Sequence, residues 1–113
     1  MACPPEWGGH PGIWSPEDLF VGSVEVCTLT TFLFLLEKRH GRLVSYESAA
    51  EGTAQMVDNL FIFKDVVVKV KAIVPTRDDA DKALRAFSEI DQWCLVTKSV
   101  KCQVRVEPQV SVG

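Results

Sequence analysis

The hydrophobic and polar positions of the chain sort into five elements. In SPEDLFVGSVEVCTLTTFLFLLEK, residues 15 to 38, apolar side chains cover nearly every face. That is the pattern of a helix enclosed on several sides, not of one lying on a surface. Ser15 is a good N-cap, Pro16 suits the first helical position, and Glu17 and Asp18 complement the positive end of the helix dipole. The helix is expected to run to about Arg39, with Lys38, Arg39 and His40 near its negative end and Gly41 stopping it. RLVSYESAAEG then reads as a strand with Val44, Tyr46, Ser48 and Ala50 on one face. After a turn near Met56 to Asn59, LFIFKDVVVKVKAIV reads as a longer strand. Its tail alternates cleanly, with Val66, Val68, Val70, Ala72 and Val74 on one side and Lys69 and Lys71 on the other. The two strands are expected to form an antiparallel hairpin.

A second helix is predicted from Thr76, whose hydroxyl can cap while Asp79 reaches back. Ala80, Ala83, Leu84, Phe87, Ile90 and Cys94 follow at spacings of three and four, an amphipathic stripe that places Cys94 on the inward side, near the helix end or a break in it. VKCQVRVEP closes the chain as a strand with Val100, Cys102, Val104 and Val106 on one face. The order helix, strand, strand, helix, strand predicts an α+β fold: two helices, one long, central and apolar, packed on a small antiparallel sheet. Residues 1–113 read as a single domain whose first 14 residues form an irregular Pro- and Gly-rich lead-in anchored by Trp7 and Trp14. Such a sheet cannot cover an all-round apolar helix, so a homodimer burying the first helix between subunits is expected.

Composition narrows the picture. The chain is 47% hydrophobic and 24% charged with a formal net charge of −3, and it shows no basic stripe, which argues against nucleic-acid or membrane-surface partners. The stretch Leu19 to Leu36 approaches the length of a membrane span, but it carries Glu25, and a charge near the bilayer centre costs about 2.5 kcal/mol or more. No secretory signal is visible at the N-terminus, so a cytoplasmic location is expected.

The candidate chemistry lies in the cysteines Cys3, Cys27, Cys94 and Cys102, which have no CxxC spacing and no histidine nearby. His10 and His40 stand alone, so no metal site is expected. Cys27 and Cys94 both fall on helix faces that should turn toward the same sheet. They read either as small buried apolar residues or as a redox pair, in which one thiolate is oxidised by a peroxide to sulfenic acid and the other condenses with it to a disulfide. Burial alone raises a thiol's pKa, so the redox reading calls for a cation beside the thiolate. Cys102, in line with valines, reads as packing, and Cys3 as uninvolved. Glu17 reads either as a dipole partner or as a group orienting that cation.

At these residues the sequence resembles the OsmC/Ohr family of thiol-dependent peroxidases. PPEWGGHPGIWSPEDLF is similar to the family's Gly-rich loop leading into an Asn/Ser-Pro-Glu-Glu helix start, with Cys27 ten residues after Glu17. IDQWCLVTKSVKCQVRV is similar to its second cysteine segment, Cys-Pro-x-Ser running into the last strand. The resemblance implies the OsmC-like fold as an intertwined homodimer with active sites at the interface. It further implies Cys27 as peroxidatic, Cys94 as resolving, and Glu17 as the glutamate that helps position a catalytic arginine. Reduction of organic hydroperoxides or hydrogen peroxide in oxidative stress, with electrons from lipoylated proteins or other dithiols, is implied as well, with no metal or organic cofactor. Two departures stand out. Leu95 and Thr97 replace the family's proline and serine, and no arginine precedes Arg39. The chain is therefore expected to be N-terminally shortened, without the family's leading strands. Arg39, Arg42, Arg77, Arg85, Arg105 or a residue of a dimer partner would have to take the arginine's place. The alternative is a non-enzymatic, redox-responsive or small-molecule-binding dimer on the same scaffold.

Overall fold

The computed structural model describes residues 15–113; the lead-in, with Cys3, Trp7, His10 and Trp14, lies outside the described residues. The element order is α1 (Pro16–Lys38), β1 (Ser45–Val57), β2 (Leu60–Val74), α2 (Arg77–Trp93), α3 (Leu95–Ser99) and β3 (Gln103–Val112). The start of α1 is a full capping box: the Asp18 amide donates to Ser15 Oγ at 3.1 Å, and the Ser15 amide donates back to Asp18 Oδ2 at 2.9 Å. Its end differs slightly from the expected one. His40, with φ 58°, takes the left-handed position, while the His40 amide donates to the Glu37 carbonyl and the Gly41 amide to that of Leu36. Gly41 is needed for closeness, since a Cβ there would lie 2.3 Å from Leu36 Cδ1.

β1 and β2 form the expected antiparallel hairpin, longer than predicted and closed by a two-residue turn at Asp58 and Asn59, both with positive φ. The pairing shifts between Thr53 and Ala54, where Asp65 and Phe63 are the successive partners and Lys64 is left over. That bulge reverses which face successive residues occupy. It explains why the alternation in β2 is clean only after Lys64. Val44 falls before β1 and is exposed, while Tyr46, Ser48 and Ala50 share the half-buried face.

One expectation is corrected. The sheet, ordered β1-β2-β3, is mixed and not wholly antiparallel, because β3 pairs parallel to β2 from Asp65↔Gln103 to Val74↔Val112. The reason is the connection: a parallel neighbour needs a crossover of a dozen or more residues, and α2 with α3 supplies it. The core forms where one face of this sheet meets the helices. Val66, Val68, Val70, Ala72 and Val74 of β2 are buried there, against Val24, Phe32, Leu35 and Leu36 of α1 and Ala80, Ala83, Phe87 and Ile90 of α2. Phe32 and Phe87 stack with ring centroids 4.1 Å apart. The pairings Cys27–Cys94, Phe32–Phe87 and Arg42–Asp79 run in opposite order along the two segments, so α1 and α2 are antiparallel.

Asp79 does more than cap α2. Its carboxylate accepts from the Thr76 hydroxyl and the Arg42 amide and pairs with the Arg42 guanidinium at 3.3 Å, tying the end of the α1–β1 link to α2. The Thr76 hydrogen bond, aided by Arg42 and Lys82 and opposed by burial, holds this carboxyl below its ordinary value. Helix α1 is long and apolar enough to cross a membrane by length and composition; here one side of it packs on the sheet and α2. Its opposite side leaves Leu19, Val26 and Leu33 exposed, at intervals of seven residues.

Candidate functional site

Helix α2 stops at Trp93, and Cys94 takes an extended conformation (φ −77°, ψ 107°) before the short helix α3 begins. The break leaves no backbone group stranded, because the Cys94 amide donates to the Ile90 carbonyl and its own carbonyl accepts from the Lys98 amide. Extended ψ is what a following proline would impose; here it is adopted before Leu95. The kink turns the Cys94 side chain inward, fully buried, against the face of α1 that carries Cys27 and Thr31.

The two sulfurs lie 2.8 Å apart although the residues are 67 positions apart in sequence. That is well inside ordinary sulfur contact and longer than the roughly 2.05 Å of a disulfide bond, and both thiols are free. Cys27 is half-buried and Cys94 fully buried, so only Cys27 presents a surface that a reactant can reach. Two hydroxyls flank the pair. Thr97 Oγ1 donates to Cys94 Sγ at 3.2 Å, and Thr31 Oγ1 lies 3.9 Å from Cys27 Sγ. Burial pushes the Cys94 thiol up. Hydrogen bonding with Cys27, then with Thr97 and Thr31, outweighs it, so the thiol lies below its ordinary value.

Glu17 is not brought to the thiols within one chain. Ten residues of α1 separate it from Cys27, about 15 Å at 1.5 Å per residue. One of its carboxylate oxygens, Oε2, is buried without a hydrogen-bond partner. The candidate arginines are placed elsewhere. Arg39 pairs with Glu89 and Arg42 with Asp79, while Arg77, Arg85 and Arg105 are exposed, Arg105 on the outward face of β3. Among the described residues no salt bridge or hydrogen bond joins an arginine to either cysteine. Nor do three His, Cys, Asp or Glu side chains cluster as metal ligands there. Cys102 is half-buried at the foot of β3, packed against the core.

Thr31 and Thr97 were not singled out as site residues by the sequence reading. The signal was spacing: Thr31 lies one turn after Cys27 on the same face of α1, and Thr97 is the third residue of α3 after Cys94 at its N-cap.

The OsmC-like protein family model matches residues 9–109. The chain belongs to the OsmC-like family. A search of curated proteins gives no match. Among solved structures, an organic hydroperoxide resistance protein OsmC from Legionella pneumophila is 18% identical with a TM-score of 0.76, over 100% of this chain and 79% of that one. An OsmC-like protein of unknown function from Vibrio cholerae is 20% identical with a TM-score of 0.76, over 89% of this chain and 68% of the other. An organic hydroperoxide resistance protein from Elizabethkingia anophelis, with thiocyanate bound, is 17% identical with a TM-score of 0.75, over 98% and 78%. At these identities the likeness is one of fold. The OsmC-like chain described here thus shares with these proteins two helices packed on a sheet.

Proposed function

We propose that this OsmC-like protein is a thiol peroxidase that reduces organic hydroperoxides or hydrogen peroxide. The observation carrying the reading is the pair of free thiols 2.8 Å apart, one half-buried and one fully buried. The names of two of the similar structures, organic hydroperoxide resistance proteins, agree with it. In the first step the Cys27 thiolate attacks the terminal oxygen of the peroxide. The O–O bond breaks, sulfur loses two electrons, and the alcohol or water leaves with a proton. Cys94 then attacks the resulting sulfenic sulfur, forming the Cys27–Cys94 disulfide and releasing water. A dithiol or lipoylated protein returns two electrons and two protons. On this reading Glu17 orients a cation toward the site, and a homodimer covers the exposed Leu19, Val26 and Leu33 stripe of α1. The protein works in the cytoplasm without metal or organic cofactor.

The test is consumption of cumene hydroperoxide and of hydrogen peroxide in the presence of a dithiol, with the disulfide followed by mass spectrometry. Wild type should consume peroxide and form one disulfide per chain, and Cys27→Ser should abolish both. A specific observation favours a second reading: no arginine contacts the thiols among the described residues. A scaffold that responds to oxidation or binds a small molecule, without fast chemistry, would leave peroxide unconsumed and Cys27→Ser without effect on it.

A further inference from the structure

The reaction above uses two sulfurs, and the geometry around them is unequal. Cys94 Sγ is sealed from solvent and accepts a hydrogen bond from Thr97 Oγ1 at 3.2 Å, while the Cys27 thiol lies against it at 2.8 Å. Thr31, one turn beyond Cys27 on α1, stands on the other side of the pair. The groups at hydrogen-bond distance from Cys94 Sγ come from α1 and α3 and are neutral: the Thr97 hydroxyl, which donates to it, and the Cys27 thiol against it. Among the described residues no hydrogen bond or salt bridge joins an Asp, Glu, Lys, Arg or His side chain to it. A thiol placed in apolar surroundings would stay protonated and inert; this one is given donors in place of water.

We infer that Thr97 is a positioning residue that holds Cys94 ready as a thiolate, making the buried cysteine the nucleophile that closes the disulfide and the leaving group when the disulfide is reduced. The inference rests on the proposed redox pair but assigns it a division of labour. Cys94, already the resolving thiol of the proposed reaction, is kept reactive by the Thr97 hydroxyl. In closure the Cys94 thiolate attacks the sulfur of Cys27 sulfenic acid. The S–S bond forms as the S–O bond breaks, and hydroxide leaves and takes a proton from solvent as water. In reduction, a dithiol thiolate attacks Cys27 and expels Cys94 as a thiolate, which Thr97 stabilises as it forms. The second thiolate of the reductant then displaces Cys27, completing a two-electron transfer.

Thr97 lies in a helix of five residues at an ordinary helical position, so a purely structural role would tolerate valine, which has the same shape without the hydroxyl. The experiment follows thiolate absorbance against pH in wild type, Thr97→Val and Thr97→Ser. It also measures the equilibrium of the Cys27–Cys94 disulfide with oxidised and reduced dithiothreitol. A hydrogen bond to a charged sulfur is worth enough that Thr97→Val should move the lower thiolate midpoint up by about one pH unit. Because the reduced form loses stabilisation, the disulfide of Thr97→Val should also become about tenfold harder to reduce. Thr97→Ser, which keeps the hydroxyl, should restore both. Unchanged midpoint and equilibrium in Thr97→Val would overturn the inference, as would equal shifts in the valine and serine variants, which would mark a packing effect of the methyl group. Neither readout needs peroxide. A wild-type protein that consumes no peroxide yet shows the valine shift and its rescue by serine would refute the peroxidase reading while supporting the role of Thr97.

Discussion

Phe87 is where the packing can be tested against the chemistry. It lies seven residues before Cys94 on α2 and stacks on Phe32, five residues after Cys27 on α1. The stack is thus a brace about two turns from the thiols, and the antiparallel helices hold the sulfurs together only while their spacing is kept. Phe87→Leu keeps an apolar side chain but removes the ring. The lost aromatic pair is worth about 0.5–1.5 kcal/mol. A leftover cavity of roughly 25 Å³, at about 24 cal/mol per Å³, adds about 0.6 kcal/mol. The expected loss is therefore about 1–2 kcal/mol, or a fall in Tm of roughly 5–10 °C for a domain of this size. Leu84→Ala serves as the control on the same helix, because Leu84 is half exposed and bears little of the core.

Two assays read the outcome: urea unfolding of the reduced protein, and the rate of Cys27–Cys94 closure with oxidised dithiothreitol well below the unfolding transition. Phe87→Leu should lose stability and also close its disulfide more slowly, since the sulfurs no longer rest at contact distance. Leu84→Ala should change neither by much. A Phe87→Leu protein that is destabilised as computed but closes at the wild-type rate would refute the brace, showing that the break at Cys94 alone sets the thiol geometry. Unchanged stability would refute the packing argument itself.

Two further outcomes are expected. Cys94→Ser should let Cys27 sulfenic acid accumulate after peroxide and pass on to the sulfinic acid, seen by dimedone labelling and mass spectrometry, because the thiol in contact with it is gone. Tyr46, the one tyrosine of the chain, should titrate alone in phenolate absorbance. Burial pushes its phenol from 10.0 up to about 12, the Glu25 charge adds to that, and Ser48 opposes it. Because the folded value is raised, this group's contribution to stability is intact below about pH 10 and is lost between 10 and about 12. Tyr46→Phe should remove that alkaline loss from the Tm profile.

The sequence made the helices legible because their signals are local. Ser15-Pro16 and Thr76 with Asp79 begin α1 and α2 where the side chains cap, and the β2 valines alternate into the core. What it left illegible depends on partners distant in the chain. The direction of β3 is set by the crossover through α2 and α3 and not by its own alternation, which would suit either direction. The bulge at Lys64 hides the phase of the first part of β2 behind the unbroken apolar run Leu60 to Phe63. At the site, the inward placement of Cys27 and Cys94 was readable from helical stripes. Their contact was not, because it depends on a break at Cys94 that Leu95 does not announce as a proline would. A redox pair was one of the two readings the residues allowed, and the resemblance added the peroxidatic and resolving roles. Glu17 read from the residues alone as a dipole partner or as a group orienting a cation, and its ten-residue spacing from Cys27 already puts it about 15 Å away along α1.

The placement of the arginines bears on how the thiol pair is charged. Drawing Arg42 toward the cysteines would strip the buried Asp79 of a partner, and drawing Arg39 away would break its pair with Glu89 across α1 and α2. Both are committed to holding together the helices that carry the thiols. Arg105 is on the wrong face of the sheet, and Arg77 begins α2 at the far end from Cys94. Among the described residues no arginine forms a salt bridge or hydrogen bond with Cys27, whereas the Thr97 hydroxyl already donates to Cys94. On the proposed function, the contact between Cys27 and Cys94 lets the scaffold by itself close and reopen a disulfide, and a cation brought to Cys27 would speed its first encounter with peroxide.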